Sequence, residues 1–582
     1  MRFSPAPDLS SPRRIGIVAI LLWLVQCVSL VTRYGIDLRH NLGDTDDAMR
    51  LVMVRHLLAS RAWFQQLVTR LDPPNGVYLH WSRLLDGGLA CTIWLVERIC
   101  SPTEAELIVR IAWPLAWIFP AVISALFLAR NIGARSAVFL AAIILVIEAQ
   151  PYRQFIPGRI DHHGIQITFA MAALATATLR TLTPRAAAAI AAFSGLGLAI
   201  GLEALPLHAL IGASVVFRFL QEPRHEAKML RAYGLALALA APVLFVAQTP
   251  AWRWSISLCD ALAFNLVAML VVAGLGFAAV SMLASRLSRR SIAVAAGLVA
   301  CAATVCYLAL DPRCIHGPFA EVAPRVHSLW LDRVQELEPW PVSLTQDPEF
   351  AIHAMTTIVM AGAGAVFLWW RRRENVPEIL ALATFIVASA VALRAQRGED
   401  YVFWVGLPVL AAALSIVSET WLTNRMLPMA ALASVLVPVV VASFLQVPFA
   451  HAQSTQRSKA LVKALCNDPS LYSRLSRMPD GVVLADLDLG SFVLASTSDS
   501  ALAAPYHRMS DAILVAHDAL DAPPDLAEAK IRELHADYLI DCRYRSVERT
   551  SIFARLRSGN RLSWLTPLSD PTEPLQIWKV KH

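Results

Sequence analysis

Charge is scarce in this sequence. Of 582 residues, 16% are Asp, Glu, Lys or Arg and 56% are hydrophobic, where a soluble protein carries charge on about a quarter of its positions. The shortage excludes an ordinary soluble chain. Apolar runs of about 17 to 25 residues, each long enough to cross a bilayer, recur through most of its length. Lysine is scarcer still, since nearly all of the 51 basic residues are Arg, many in short loops between apolar runs. That is the distribution of an orientation signal, so the net charge of +7 does not indicate a nucleic-acid partner.

The nine cysteines lack any metal-type spacing such as CxxC. Cys27, Cys91, Cys259, Cys301 and Cys306 lie in or near apolar runs and read as small core residues. Cys466 and Cys542, in the more polar C-terminal part, could pair in an oxidising compartment. No small-x-small cleavage site follows "IGIVAILLWLVQCVSLV", which Arg13 and Arg14 precede, so this run reads as a retained signal anchor with a cytoplasmic N-terminus. There is no internal repeat, which counts against a transporter or flippase built from repeated halves.

What the chain does contain is about thirteen candidate spans: 15–32, 108–129, 135–149, 162–180, 186–203, 204–220, 230–248, 260–283, 291–309, 352–370, 377–394, 402–418 and 425–446. "GGLACTIWLVERIC" is too short and too charged to count among them. Alternate loops are short and basic. They hold Arg130 and Arg135; Arg180 and Arg185; Arg218, Arg224, Lys228 and Arg231; Arg286, Arg289 and Arg290; Arg371, Arg372 and Arg373; and Arg425. These read as cytoplasmic. The other face receives the long loops 33–107, 150–161 and 310–351, together with the tail. Residues 1–446 thus form a membrane domain and 447–582 a soluble α/β domain, in which "GVVLADL", "GSFVLAST" and "ADYLIDC" look like strands and "PDLAEAKIRELHAD" like a helix.

Four polar constellations fall on that outer face. They are "GDTDDAMR" with Asp44, Asp46 and Asp47, followed by "PPNGVYLHWSRLLD"; "PGRIDHHGIQ" with Asp161, His162 and His163; "VQELEPW" with Glu336 and Glu338; and "RAQRGEDY" with Arg394, Arg397 and Tyr401. Singly, each has a structural reading: a helix cap, a satisfied polar site, a solvated face, a snorkelling arginine. Together, carboxylates and an imidazole from separate loops are the ligand set of a hard divalent cation, Mg²⁺ or Mn²⁺ in preference to Zn²⁺. A neighbouring Arg would pair with a phosphate that such a cation also binds. Phosphate-leaving-group chemistry on a lipid-linked donor follows.

The order and placing of these motifs resemble the GT-C membrane glycosyltransferases, most of all the catalytic subunit of oligosaccharyltransferase in its bacterial and archaeal single-subunit form. The resemblance implies a mostly α fold of about thirteen transmembrane helices with a C-terminal soluble α/β domain. It also implies an active site on the periplasmic face of a bacterial inner membrane, and transfer of a sugar or oligosaccharide from a polyprenyl phosphate or pyrophosphate. By the same resemblance, Asp46 or Asp47, Asp161 and His163 hold the metal, with His162 shaping the loop; Glu336 completes the site from a mobile loop; and Arg397, four residues before Tyr401, grips the donor phosphate. His80, Trp81 and Arg83 either border the donor or pack the first loop.

The family's Trp-Trp-Asp-Tyr-Gly sequon motif is not intact. Asp488 and Gly490 keep its Asp-x-Gly spacing without the tryptophans, and Tyr506, His507 and Arg508 follow as polar candidates. The acceptor is accordingly left open between protein, envelope glycan and lipid. A transporter of lipid-linked sugars and a non-catalytic scaffold are the readings from other classes.

Overall fold

The computed structural model describes residues 9–35, 37–421, 444, 465–544, 547 and 551–582. The first twelve expected spans coincide with the helices Pro12–Tyr34, Pro102–Ile132, Ala137–Ile147, His163–Ala177, Pro184–Ile200, Leu205–Gln221, Pro223–Gln248, Phe264–Met282, Arg289–Leu310, Pro348–Arg371, Val376–Arg394 and Gly398–Trp421. The thirteenth, 425–446, lies outside the described residues except for Phe444, and Arg425 lies outside them too. Eight of the helices are long and apolar enough to cross a membrane. Proline opens many of them, at positions 12, 102, 184, 223 and 348, where the missing N–H costs no helical hydrogen bond.

Two short helices set the position of the "PGRIDHHGIQ" loop. Ala137–Ile147 has 11 residues and His163–Ala177 has 15, too few to cross about 30 Å of hydrocarbon. The chain between them turns inside the bundle. Tyr152 and Phe155 are buried, the Tyr152 hydroxyl donates to the Leu145 carbonyl at 2.8 Å, and the Trp404 indole donates to the Pro151 carbonyl at 2.9 Å. These bonds satisfy backbone that would otherwise be stranded, and they recess the loop between its neighbours.

The first long loop folds as a helix, Thr45–Ser60, a hairpin of β1 (Leu67–Val68) and β2 (Val77–Tyr78), and a second helix, Arg83–Val96. The uncounted "GGLACTIWLVERIC" falls on that second helix. Asp86 is fully buried between Arg50 at 2.7 Å and Arg83 at 3.3 Å, and the Arg50 guanidinium lies 4.4 Å from the Trp81 ring centroid.

The C-terminal domain is built on a five-stranded sheet of β3 (Val482–Ala485), β4 (Ser500–Ala501), β5 (Tyr538–Cys542), β6 (Leu565–Pro567) and β7 (Leu575–Val580), in the order β4-β3-β5-β7-β6. The pairs β3–β4 and β3–β5 are parallel, whereas β5–β7 and β6–β7 are antiparallel. Two of the three expected strands and the expected helix, Pro524–Glu533, are present. "GSFVLAST" is not a strand. Gly490–Ser496 is a helix whose residues 490–495 are all buried, and a short run buried on every side does not reveal its period. Phe492 and Val493 pack in one core with Leu51 and Val54 of the first loop.

Cys466 and Cys542 are bonded, and so are Cys259 and Cys314. Cys259 is therefore not the solitary core residue suggested by its apolar surroundings. The helices Phe264–Met282 and Arg289–Leu310 go down and back, which returns residue 314 to the face where residue 259 began.

Replacing Asp86 with Ala strands two buried guanidinium groups. The expected outcome is a loss of about 3–5 kcal/mol, read as a large fall in the Tm of the detergent-purified protein. An unchanged Tm would mean that water reaches the pair.

Candidate active site

Buried polar groups from the long loops gather around a cavity of about 1240 Å³. Asp44 caps the helix Thr45–Ser60. Its Oδ1 accepts from the amides of Asp46 and Asp47 at 3.0 Å each, and Asp47 reaches back to the Asp44 amide. Asp47 is fully buried, and its Oδ1 also accepts from the amides of Ile160 at 2.7 Å and Asp161 at 3.2 Å. It fastens the first loop to the "PGRIDHHGIQ" loop. Asp46 instead lines the cavity, and among the described residues its carboxylate accepts no hydrogen bond. The choice the sequence left open is thus a difference of surroundings: one carboxylate is engaged by backbone, the other faces space.

Asp161 Oδ1 accepts from the amide of His163 at 3.1 Å, and Oδ2 lies 2.6 Å from Arg159, which also pairs with Asp44 and donates to Gln154 Oε1 at 2.9 Å. His163 Nδ1 is 2.8 Å from Glu203 Oε2, while its Nε2 faces Asp161 Oδ2 at 3.7 Å and Glu336 Oε2 at 3.8 Å. Arg397 bridges Glu203 and Glu336, at 2.8 Å to each. The Glu336 segment is clipped to the arginine's own strand of chain, because the amides of Gln396 and Arg397 donate to the carbonyls of Glu338 and Glu336 at 2.9 and 3.0 Å. Glu338 turns away and accepts from Gln346. The Tyr401 hydroxyl is buried beside the cavity with no hydrogen-bond partner among the described residues.

The electrostatics follow from this pairing. Burial pushes Asp161 up, but Arg159, then His163 and His162, outweigh it and hold the carboxyl at about 2. Burial likewise works against Glu203 and Glu336, and Arg397 and His163 overcome it, leaving both below the ordinary range. Asp46 has no such partner close by. Burial, then Glu336 and Asp161, push it up to about 7.

The other residues divide by location. His80, Trp81, His162, Asp488, Tyr506 and His507 line the cavity. The Tyr506 hydroxyl donates to the Thr45 carbonyl at 3.0 Å and lies 2.8 Å from the Ser491 hydroxyl, so it clamps the C-terminal domain to the first loop beside Asp46. Arg83 does not reach the cavity; besides Asp86 it donates to the carbonyls of Ala62, Trp63 and Gln65 and packs the first loop. His507 and Arg508 both bond Asp260, at 2.6 Å and at 2.7–2.8 Å. Three participants escaped the sequence reading. Arg159 stood inside a quoted motif, and Glu203 stood as a lone charge where two apolar runs adjoin, which is itself a signal. Asp260 had none, because its partner is 247 residues away.

A carboxyl raised from 3.8 to about 7 keeps a proton in the folded state that the unfolded chain has already released. The stability from that proton is present at low pH and lost as pH rises through about 7, a loss on the order of 1–4 kcal/mol. In chelator-treated protein, Asp46→Asn is expected to raise the Tm at pH 8 and to raise it much less at pH 5. An equal effect at both values would show that Asp46 is ionised throughout.

No protein-family model and no curated protein sequence matches the chain. Solved structures do. The oligosaccharyltransferase of Archaeoglobus fulgidus in complex with an inhibitory peptide and a dolichol-phosphate superimposes with a TM-score of 0.67 and 15% identity, over 91% of this chain and 69% of that one. The same enzyme tethered to an acceptor peptide containing the NVT sequon gives 0.63 and 14%, over 91% and 68%. Its complex with Zn and sulfate gives 0.57 and 14%, over 90% and 67%. At these identities the likeness is one of fold: the chain shares the fold of that oligosaccharyltransferase.

Proposed function

We propose that the protein is a metal-assisted membrane glycosyltransferase that moves a sugar or oligosaccharide from a polyprenyl phosphate or pyrophosphate to an acceptor. The carrying observation is the setting of His163. Glu203 on Nδ1 orients the ring so that Nε2 faces Asp161 and Glu336, the carboxylate–imidazole support seen behind metal-binding histidines; a cation there would take the place of the Nε2 proton. Two carboxylate oxygens facing one imidazole nitrogen at 3.7 and 3.8 Å form a concave donor set that a cation would fill. The donor set, mostly hard oxygens with one nitrogen, suits Mg²⁺ or Mn²⁺. A structure of the Archaeoglobus enzyme contains Zn and sulfate, which favours a divalent cation and an anion at this fold's site.

Asp161, His163 and Glu336 would hold the cation, with Asp46 on the cavity wall within electrostatic reach of Glu336 and Asp161. When bound, it would neutralise charge developing on the departing phosphate. Arg397 supplies the guanidinium for the phosphate oxygens. The apolar lining at Leu202, Leu205, Pro206 and Val391 suits the first isoprene units. Asp46, near 7 and free of hydrogen bonds, is matched to accept the proton of the incoming nucleophile. In a single inverting displacement, the acceptor's heteroatom bonds to the anomeric carbon as the carbon–oxygen bond to phosphate breaks. The bonding pair leaves with the phosphate, and the proton passes to Asp46.

Both disulfides are consistent with an oxidising compartment on the cavity side, which supports a periplasmic site on a bacterial inner membrane. The missing tryptophans favour an acceptor other than an Asn sequon, such as envelope glycan or lipid.

Mn²⁺ binding tests the reading. Wild-type protein in detergent is expected to bind Mn²⁺ more tightly when a polyprenyl pyrophosphate is present. Asp161→Ala and His163→Ala should lose the ion, while Arg397→Gln should keep the ion and lose the enhancement by lipid. Equal, weak binding by folded wild type and variants would return the site to a structural role and bring a scaffold or transporter forward.

A further inference from the structure

A second group of ligating side chains lies in the same cavity, away from His163. His80 follows β2 in the first loop. Asp260 lies in the loop between the helices Pro223–Gln248 and Phe264–Met282, next to the disulfide of Cys259, and His507 comes from the C-terminal domain. One nitrogen or oxygen atom from each lies within 4.8 Å of the other two. The His80 and His507 rings are 4.5 Å apart between centroids, tilted by 46°. His80 and His162 are 6.4 Å apart, and His162 and His163 4.3 Å, so the group is distinct from the ring of carboxylates around His163.

Its hydrogen bonding is incomplete. Asp260 Oδ2 accepts from Arg508 Nε at 2.8 Å and is 2.6 Å from His507 Nε2, and Oδ1 accepts from Arg508 Nη2 at 2.7 Å. Arg508 Nη1 donates to the Tyr78 carbonyl. His80 Nδ1, by contrast, is buried with no hydrogen-bond partner among the described residues. An imidazole nitrogen shut away from water beside a carboxylate and a second imidazole lacks the one thing that a cation would supply.

We propose that His80, Asp260 and His507 form a second cation site, filled by a borderline transition metal such as Zn²⁺. Two imidazoles and one carboxylate oxygen are softer than the set around His163, and they match three-ligand zinc sites that leave a fourth position open. That position faces the cavity, where it would take water or an oxygen of the substrate. Arg508 keeps the carboxylate oriented from behind, as outer-sphere partners do. Metal binding displaces the proton between His507 Nε2 and Asp260 and engages the orphaned nitrogen of His80. It thereby joins the first loop, the Cys259 loop and the C-terminal domain at one ion.

The test uses full-length, chelator-treated protein in detergent, titrated with Zn²⁺ alone by calorimetry. The inference goes beyond the transferase reading and fails separately from it, because Asp161→Asn isolates the second site. Asp161→Asn is expected to retain a Zn²⁺ site. His80→Gln and His507→Gln should each weaken that site by about 100-fold or more while leaving the Asp161-dependent Mn²⁺ site in place. If His507→Gln does not fold, His80→Gln decides alone, since its ring makes no hydrogen bond among the described residues. The proposal is overturned if Asp161→Asn abolishes all Zn²⁺ binding, or if His80→Gln binds Zn²⁺ as wild type does.

Discussion

Carboxylates crowded at the rim of a membrane persist only in the company of cations, and that constraint organises this molecule. Asp161 rests on Arg159, and Glu203 and Glu336 share Arg397. The Arg397 pairs join segments 194 and 61 residues apart, and Arg159 reaches beyond its own loop to Asp44. Charge compensation is therefore also tertiary structure: the junction of two helices at Glu203, the external loop at Glu336 and the start of the helix Gly398–Trp421 are drawn to one point by a single guanidinium. Lone buried charges would be intolerable there, so the pairing is what allows so much acid to stand in so small a space.

The C-terminal domain is the other wall of that space. It meets the first loop through backbone acceptors, not through an apolar face alone. Arg55 donates to the Ala495 carbonyl at 2.6 Å, Arg70 to that of Thr497 at 2.7 Å, and Tyr506 to that of Thr45. Arg508 and His507 hold Asp260 from the opposite side. Two covalent links brace the arrangement, one inside the domain and one at the base of the helical pair beyond it.

The membrane helices were legible because length and apolarity are properties of single segments. The outer loops were legible as motifs for a different reason: Asp, His, Glu and Arg are costly beside apolar spans and stand out. What escaped depends on partners. Asp46 and Asp47 are neighbours of identical chemistry, and only the amides of Ile160 and Asp161 distinguish them. Glu203 looked like a gap between spans until His163 and Arg397 came to it. Gly490–Ser496 reads as strand or helix until its packing against the first loop is known. Cys259 looked like packing because Cys314 is 55 residues on, across two helices.

That last pairing has a consequence for the outer rim. The helix Arg289–Leu310 buries only Ile292, Ala296 and Ala303 among its residues, so little packing within the described residues holds it. Its return partner, Phe264–Met282, is linked to it by a short turn at one end and through the Cys259–Cys314 bond at the other. The pair is a closed ring of chain, and lipid cannot wedge its outer ends apart. Tyr307 and Asp260, which line the cavity, ride on that ring. The bond that closes the ring thus also ties down one side of the cavity's rim.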